Sequence, residues 1–314
     1  MIYLKIRGRL GNQFFQYAAV KAYQMKYFPD EQIVLDFSDL KKLGTKKEGF
    51  KDSLCDFNVE YKKGLIDANL IQKILILIMK IPNPLLRLIG LKKYADRITY
   101  KFEKCIQPFL NKFGVFYMIH GYCNFNKTNA KNKIFYGNFE SPKYFDEIKD
   151  EIKKMYTPRL PLLDSNRNMY LRIKNENSVC ITIRRGDFIE NDELKKVHYV
   201  CDSSFFYEAI DIIKKKVSNP TFVVFSDDIP WVKEHMNFGK KALYETGNDT
   251  LFEKMRLMSG CKNFIISNST FSFWAQYLSK NDNKVVVAPK KWKNIAYKKD
   301  TKKLDIYEDF WIRI

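Results

Sequence analysis

The chain has 314 residues, of which 46% are hydrophobic and 15% aromatic. This composition excludes a disordered protein, and the length is comfortable for two domains of ordinary size. Lys and Arg number 55 against 36 Asp and Glu, a formal net charge of +19, so nucleic acid, an anionic membrane and a phosphorylated small molecule are all compatible partners.

The first part of the chain shows a weak α/β pattern. The apolar run IYLKI at the N-terminus predicts a strand, and a helix is expected from Asn12 to Tyr27. The run IVLDF at 33–37 predicts a second strand. The stretch from about 64 to 132 is expected to be helical and loop-like, because three prolines interrupt it.

The most apolar part of that stretch is residues 65–91. Its longest uninterrupted apolar run has six residues, far fewer than the ~18 that span a bilayer. Apolar residues recur there at helical spacing, and Lys73 and Lys80 flank the run. Two interpretations stay open: a helix packed on a core, and an interfacial helix lying on an anionic membrane.

After Ile173 the pattern becomes regular. The predicted elements are, in order, the strand VCITI, the helix Phe205–Val217, the strand TFVVF, the helix Ile229–His235, the strand NFIIS, the helix Phe271–Leu278 and the strand VVVAP. Strands that are apolar throughout and alternate with helices indicate a doubly wound parallel α/β domain. We therefore predict two α/β lobes, residues 1–172 and 173–314, joined near the polar stretch 172–178.

The six cysteines are spread without a CxxC pair or a Cys/His cluster. This spacing is poor for zinc and for a disulfide framework, so it predicts free thiols in a reducing compartment. The first predicted strand follows Met1 directly, with no signal peptide before it in this sequence. We therefore expect a cytoplasmic protein.

Chemistry-bearing residues follow four of the predicted strands, where ligands bind in open parallel sheets. They are Arg184-Arg185-Gly186-Asp187 after VCITI, Ser226-Asp227-Asp228 after TFVVF, Asn268-Ser269-Thr270 after NFIIS, and Arg7 to Gln13 after IYLKI. Each set has a structural alternative, either as helix N-caps or as an ion pair between Arg184 and Asp187. Their coincidence on two lobes favours a binding site.

The residue types indicate a negatively charged nucleotide as the ligand. A helix N-terminus with hydroxyls favours phosphate, and arginine neutralises it with bidentate donors. A carboxylate at a strand end can accept two N–H groups of guanine together. A Walker lysine loop, a GxGxxG motif and a cluster of metal ligands are all missing from the sequence. We therefore expect no cofactor and no metal, with arginine in the place of a divalent ion.

At these residues the sequence resembles the α-1,2-fucosyltransferases, glycosyltransferase family 11. The similar stretches are GRLGNQFFQYA at 8–18, FYGNFESPKYF at 135–145, IRRGDF at 183–188, FSDDIPWVK at 225–233 and LMSGCKNFIISNSTFSFWAQYL at 257–278. The resemblance implies a GT-B fold, two Rossmann-like lobes with the active site in the cleft between them. It also implies metal-independent, inverting transfer of fucose from GDP-fucose to the 2-hydroxyl of a terminal galactose.

The resemblance assigns a role to each motif. Arg184 would bind the β-phosphate and stabilise GDP as the leaving group, and Asp227 or Asp228 would contact guanine. Asn12 and Gln13 would face the cleft from the other lobe. The residues expected to bind GDP-fucose are Arg184, Arg185, Asp227, Asp228, Asn268, Ser269, Thr270 and Phe271, and those expected to act in catalysis are Arg184, Asp187 and Asn12. Three departures from the family pattern are present: Thr182, often histidine; Lys254, where an aspartate is usual; and WAQYL at 274–278, in place of a WGAWL-type ending.

Inversion requires that the acceptor hydroxyl lose its proton during attack. Asp187 is the first candidate for the base, because it lies at a strand end beside Arg184, and orienting that arginine is its alternative role. Glu190 and His198 are further candidates. A dissociative transition state would need no strong base.

Other functions stay open from the sequence. The charge favours a nucleic-acid-binding protein in the abstract, although the cations near the predicted site are paired with aspartates. A GDP-fucose enzyme could also form another linkage, α-1,6 or O-linked. If the acceptor is a lipid-linked glycan, a basic surface would hold the enzyme peripherally at the anionic inner face of the cell membrane.

Overall fold

A computed structural model describes residues 1–44, 49–91, 94–186, 189, 192–294 and 305–314. Over these residues the chain divides into two compact units. Unit 1 comprises Met1–Met155 together with residues 305–307, and unit 2 comprises residues 156–294 together with 308–314. None of the described helices is long and apolar enough to cross a membrane.

Unit 1 is built around a parallel sheet of five strands in the order β3-β2-β1-β5-β4. Its elements in chain order are β1 (Ile2–Lys5), α1 (Leu10–Tyr27), β2 (Ile33–Asp36), α2 (Ser38–Gly44), β3 (Lys62–Lys63), α3 (Leu70–Lys80), α4 (Pro82–Leu88), α5 (Ala95–Lys112), β4 (Val115–Met118), β5 (Lys133–Gly137) and α6 (Lys149–Met155). An aromatic cluster lies between α1 and the sheet, with the stacked rings of Phe116 and Phe135 4.4 Å apart and Tyr23 against both.

Unit 2 carries a parallel sheet of six strands in the order β11-β10-β9-β6-β7-β8. Its elements are α7 (Arg167–Asn175), β6 (Asn177–Ile183), α8 (Asp192–His198), α9 (Ser203–Lys216), β7 (Pro220–Ser226), α10 (Ile229–His235), β8 (Leu243–Tyr244), α11 (Leu251–Gly260), β9 (Asn263–Ile265), α12 (Thr270–Tyr277), β10 (Val286–Ala288) and β11 (Ile312–Arg313). The apolar side chains of α9 pack on β6 and β7 and form a hydrophobic core with them.

The predicted fold class is confirmed, with parallel strands and intervening helices in both units. The region 64–132, expected to be helical and loop-like, contains the strand β4 as well as three helices, and in that detail the prediction was wrong. The run Val115–Met118 has only four residues and directly follows a long helix. Gly114, at φ +71°, turns the chain between them, and a Cβ there would lie 2.4 Å from the carbonyl oxygen of Asn132.

The two units divide at 155/156, whereas the sequence predicted a boundary at 172/173. Residues 156–175 pack within unit 2 for specific reasons. Tyr156 makes an edge-to-face contact with Trp274, their ring centroids 5.2 Å apart, and the N–H of Leu163 donates to the buried carboxylate of Glu253 at 3.1 Å. The polar stretch near 172–178 is therefore the end of α7 running into β6 rather than a linker.

Candidate active site

Unit 2 brings its motif residues to one edge of its sheet. β6 is the first strand of the unit, with β7 on one side and β9 on the other. The chain order therefore reverses between β6 and β9, and ligands bind at such a point in open α/β sheets, beyond the carboxyl ends of the strands. Arg184 follows β6, Asp227 follows β7, and Ser269 follows the short turn after β9.

Strand register places Arg184 beside Asp227, because the preceding residues Ile183 and Ser226 are paired. Nη1 of Arg184 lies 2.5 Å from Oδ2 of Asp227, and the two side chains are 25% and 24% exposed. The backbone N–H of Arg185 donates to Oδ1 of the same carboxylate at 2.8 Å. Asp227 therefore fixes the orientation of Arg184, and both side chains stay accessible to a ligand.

The neighbouring Arg185 is held from two sides. Its Nε donates to Oδ2 of Asp228 at 3.2 Å, and its Cζ lies 3.2 Å from the ring centroid of Trp231. Trp231 in turn stacks on His235, with ring centroids 4.4 Å apart. Asp228 also accepts from the N–H of Trp231 at 3.3 Å, so it caps α10. At 38%, its side chain is more exposed than that of Asp227.

The N-terminus of α12 completes this edge. Ser269 is the N-cap, and its hydroxyl accepts from the N–H of Phe271 at 3.3 Å. Ser269, Thr270 and Phe271 are half-buried, whereas the rest of the helix is buried. The first turn of a helix presents N–H groups and a partial positive charge, which favour a bound anion.

Asn268 holds the loop that leads into this helix. Its side-chain amide donates to the carbonyl oxygens of His198 at 2.8 Å and Trp292 at 2.9 Å, and it is buried. Because both amide N–H groups are committed to the protein, Asn268 is suited to positioning the loop rather than to direct contact with a ligand.

In unit 1 the equivalent reversal of chain order lies between β1 and β5. Asn12, in the first turn of α1, donates from Nδ2 to Oε1 of Glu140 at 2.9 Å. Glu140 lies three residues beyond β5, is half-buried, and follows Phe139, whose φ of 52° is unusual for a bulky residue. The carboxyl ends of these two strands thus carry an amide–carboxylate pair.

Gln13 does not take part in this pair. It is fully buried, donates from Nε2 to the carbonyl oxygens of Gly8 at 3.1 Å and Lys51 at 2.8 Å, and accepts from the N–H of Ser53 at 3.1 Å. Gly8 adopts φ +74°, and a Cβ there would lie 2.8 Å from Cβ of Asn12. Gln13 and Gly8 therefore shape the loop that presents Asn12.

The two edges differ in what they can bind. That of unit 2 offers two arginines and a helix N-terminus, a combination suited to a phosphate group. That of unit 1 offers a carboxylate and an amide, a combination suited to hydroxyl groups. Over the described residues, His, Cys, Asp and Glu side chains do not gather in groups of three or more that could hold a metal ion.

A comparison with models of protein families identifies the family of this chain. The model for glycosyl transferase family 11 matches residues 1–314. The chain belongs to glycosyltransferase family 11. This confirms the family that the motifs indicated, and it makes the protein a glycosyltransferase.

Three named relatives align with this chain, two along most of it and one along less than half. An alpha-1,2-colitosyltransferase of Escherichia coli is 28% identical over 321 aligned residues, covering 100% of this chain and 99% of that protein. The O-antigen biosynthesis glycosyltransferase WbnK of Escherichia coli is 29% identical and covers 93% of this chain and 94% of WbnK. Human galactoside alpha-(1,2)-fucosyltransferase 1 is 25% identical over 149 residues, 44% of this chain and 41% of the human protein.

Solved structures share the fold at low sequence identity. Fucosyltransferase NodZ from Bradyrhizobium superposes with a TM-score of 0.50 at 11% identity, over 88% of this chain and 92% of NodZ. A mutant of Arabidopsis thaliana FUT1, solved in complex with GDP, also gives 0.50, at 12% identity, over 91% of this chain and 69% of FUT1. The predicted GT-B-type fold is confirmed.

Two of the positions that depart from the usual family 11 pattern, Thr182 and Lys254, have structural partners here. Thr182 is buried, and its hydroxyl accepts from the N–H of Ser267 at 3.1 Å, which ties β6 to the turn after β9. Lys254 donates from Nζ to Oε1 of the buried Glu245 at 3.0 Å. The side chains of Thr182 and Lys254 are therefore both hydrogen-bonded within unit 2.

The structure thus brings together Arg184, Arg185, Asp227 and Asp228 by direct contacts. Asn268, Ser269, Thr270 and Phe271 lie together at the start of α12, and Asn12 lies in unit 1. Asp187 and Glu190, named as candidate bases, lie outside the described residues. The backbone carbonyl of His198 serves the Asn268 amide. Sequence reasoning missed Glu140, although it lies in the motif FYGNFE directly after an apolar strand, where a strand-end search would have found it.

Proposed function

We propose that the protein transfers L-fucose from GDP-fucose to the 2-hydroxyl of a terminal galactose on a glycan, with inversion and without a metal ion. The observation that carries the proposal is the Arg184–Asp227 pair at the carboxyl end of β6, 2.5 Å apart and accessible. It puts an oriented guanidinium at the sheet position where nucleotides bind in such folds. Because the chain belongs to a glycosyltransferase family, we do not propose a nucleic-acid-binding function.

The proposed donor site lies in unit 2. Arg184 and the N-terminus of α12 would bind the diphosphate, with the Ser269 and Thr270 hydroxyls beside it. Asp228 would accept the two N–H groups of guanine, because its carboxylate is the more exposed of the adjacent pair. Asp227 would act as a positioning residue, because its carboxylate is the less exposed of the two and holds the Arg184 guanidinium and the Arg185 backbone N–H in place. Arg185, with its guanidinium over Trp231, would add positive charge near the phosphates.

The proposed rate enhancement follows from this charge. The acceptor oxygen forms a bond to C1 of fucose while the bond from C1 to the β-phosphate oxygen breaks, and GDP leaves with the electron pair. Negative charge grows on the β-phosphate during this step. A guanidinium fixed in advance by Asp227 stabilises that charge without having to reorganise.

The proposed acceptor site lies in unit 1. Glu140 would take the proton of the attacking hydroxyl, and Asn12 would hold the carboxylate through the 2.9 Å hydrogen bond. Asp187 stays the competing candidate for the base. The relatives support a glycan acceptor, because one is named for O-antigen biosynthesis and another for action on a galactoside.

The α-1,2 linkage is favoured over α-1,6 and O-linked products. Two relatives are named for this linkage. One is the Escherichia coli colitosyltransferase, which aligns along the whole chain, and the other is the human fucosyltransferase. The first of these relatives also makes colitose a second candidate for the transferred sugar.

One experiment tests these points together. The protein is incubated with GDP-fucose or GDP-colitose and a panel of galactosides, with and without EDTA, and the product linkage is determined by NMR. We expect an α-1,2-fucosylated galactoside at equal rates with and without chelator. A β-anomeric or 6-linked product, or loss of turnover in EDTA, would overturn the corresponding part of the proposal.

A further inference from the structure

The helices α3, α4 and α5 present an exposed apolar surface on unit 1. Among the described residues, 22 large apolar side chains are exposed, and 15 of them lie between Leu65 and Phe109. Leu70, Leu77 and Leu88 are 73%, 63% and 83% exposed. Scattered exposed leucines are ordinary on a protein surface, but a concentration of this size on consecutive helices marks an interaction site.

The helix α3 is apolar on two opposite faces. Its inner face packs on the sheet through Met79, which is buried against Tyr117 and Tyr136. Its outer face consists of leucines and isoleucines, among them Ile74 and Leu77, that are open to solvent. A surface helix normally turns polar side chains outward, so this sequence is suited to a second apolar environment outside the protein.

The charge around this surface is positive. Residues 64–112 contain nine Lys or Arg and three Asp or Glu. Two of the acidic residues, Asp96 and Glu103, are engaged by His120, and the third, Asp67, accepts from Asn132 at 3.0 Å. Exposed basic side chains, including those of Lys73, Lys101 and Lys104, lie on the same helices as the apolar ones.

Hydrogen bonds and ion pairs around Asp96 and Glu103 join α4, α5 and the chain just beyond β4. His120, just beyond β4, lies 3.1 Å from Glu103 and 3.6 Å from Asp96, and Arg87 of α4 pairs with Asp96 at 2.8 Å. Asn83 donates to the same Asp96 oxygen at 2.9 Å. These contacts hold α4 against α5, and α5 against the chain just beyond β4.

We propose that this surface, defined as the outer faces of α3, α4 and α5, docks on an anionic lipid bilayer. The apolar side chains would enter the boundary between headgroups and acyl chains, and the lysines would contact the lipid phosphates. α3 has 11 residues, too few to span the bilayer, so it would lie in the plane of the membrane. A second copy of the chain is disfavoured as the occupant, because a symmetric dimer would bring two basic surfaces together.

The proposal goes beyond the sugar transfer and does not depend on its donor or linkage. It is tested by co-sedimentation with vesicles of phosphatidylcholine that contain about one third phosphatidylglycerol, compared with vesicles of phosphatidylcholine alone. We expect binding to the anionic vesicles that weakens as salt is added, since the charged contribution is screened.

Matched variants locate the contact. The double substitution Leu77→Ser and Leu88→Ser should lower the vesicle partition coefficient by about a hundredfold, at about tenfold for each buried leucine. Leu160→Ser with Leu171→Ser, two exposed leucines of unit 2, should leave it unchanged. Lys101→Gln with Lys104→Gln should lower it about fivefold for each lysine, and Lys214→Gln with Lys215→Gln on α9 should have no effect.

Two readouts keep the proposal separate from the proposed function and from misfolding. Turnover with a water-soluble acceptor and the thermal unfolding temperature should stay at wild-type values in the docking variants. Absence of vesicle binding at low salt, or equal loss in the unit 2 controls, would overturn the proposal. So would a concentration-dependent dimer, measured by sedimentation velocity, that Leu77→Ser dissociates.

Discussion

The two units have the same kind of sheet but opposite chemistry at the edge where ligands bind. In unit 2, Arg184 and Arg185 follow β6, and the start of α12 follows the neighbouring strand β9. In unit 1 the corresponding strand ends carry the Asn12–Glu140 pair. A parallel α/β sheet brings strand ends together but does not decide what they bind. The side chains decide it, and they favour a phosphate in one unit and a hydroxyl in the other.

The largest expected effect on turnover comes from substituting Arg184, at the edge of unit 2 where we propose that GDP-fucose binds. Arg184→Lys keeps the positive charge but loses the planar pair of donors, and turnover should fall about a hundredfold or more. The measurement is kcat with GDP-fucose at saturating acceptor. Arg167→Lys, at an exposed arginine paired with Asp164, is the matched control and should keep full activity. Wild-type kcat in Arg184→Lys would remove this residue from the mechanism.

The substitution Glu140→Gln tests the edge of unit 1, where we propose that the acceptor binds. The amide oxygen of glutamine can still accept from Asn12, so the fold should be kept while the base is lost. We expect kcat to fall about a hundredfold, with an unchanged KM for GDP-fucose. Glu147→Gln, at an exposed glutamate, is the control. If Asp187→Asn lowers kcat in this way and Glu140→Gln does not, the base is Asp187 and the contrast between the two edges is overturned.

A third test concerns a charge cluster of unit 1 that we expect to act on stability rather than on turnover. Burial opposes the charged form of His120, but hydrogen bonds to Asp96 and Glu103 outweigh it and raise the pKa of His120 to about 9. A raised folded-state pKa stabilises the protein fully below the unfolded-state value, about 6.5. That stabilisation is lost as the pH rises toward 9.

The cluster should therefore contribute about 3 kcal/mol to the free energy of unfolding at pH 6 and little above pH 9. Urea unfolding of the wild type and of His120→Gln measures the difference. Because other groups titrate equally in both proteins, the gap between them should close with rising pH. A gap that stays constant from pH 6 to pH 9.5 would show that the imidazolium charge is not responsible.

The smallest expected effect is on nucleotide binding, and it distinguishes the roles of Asp227 and Asp228. Asp228→Asn should weaken GDP binding about tenfold, because it removes one acceptor for guanine, and should leave binding of inosine diphosphate, which lacks the exocyclic amine, less affected. Asp227→Asn should instead lower kcat through Arg184. Isothermal titration calorimetry with the two nucleotides measures the first effect. Equal losses for both would argue against guanine recognition by Asp228.

Much of unit 2 could be predicted from sequence. The strands β6, β7, β9 and β10 are continuous apolar runs, so they and the edge around Arg184 and Asp227 follow from the pattern. The strands β8 and β11 have two residues each, too few to show a pattern, and were not predicted. The pairing of Arg184 with Asp227, however, depends on the register of β6 with β7, which joins residues more than forty positions apart. From the local sequence, Asp187 was one candidate partner of Arg184, and it lies outside the described residues.

Unit 1 was harder to predict for physical reasons. β4 has four residues and follows a helix, so its period could not be separated from the helical pattern before it. The Asn12–Glu140 hydrogen bond joins residues 128 positions apart, and it forms only because β5 lies beside β1. The outward apolar face of α3 was visible as an apolar pattern, but its exposure depends on which face packs against the sheet.

A crystal structure with GDP in the presence of EDTA would show directly whether Arg184 binds the diphosphate without a metal ion. We expect β-phosphate oxygens at hydrogen-bond distance, about 2.7–3.1 Å, from the guanidinium of Arg184 and from the backbone N–H groups at the start of α12, with guanine at Asp228. A nucleotide bound away from Arg184, or a diphosphate that is ordered only when a divalent ion is supplied, would contradict it.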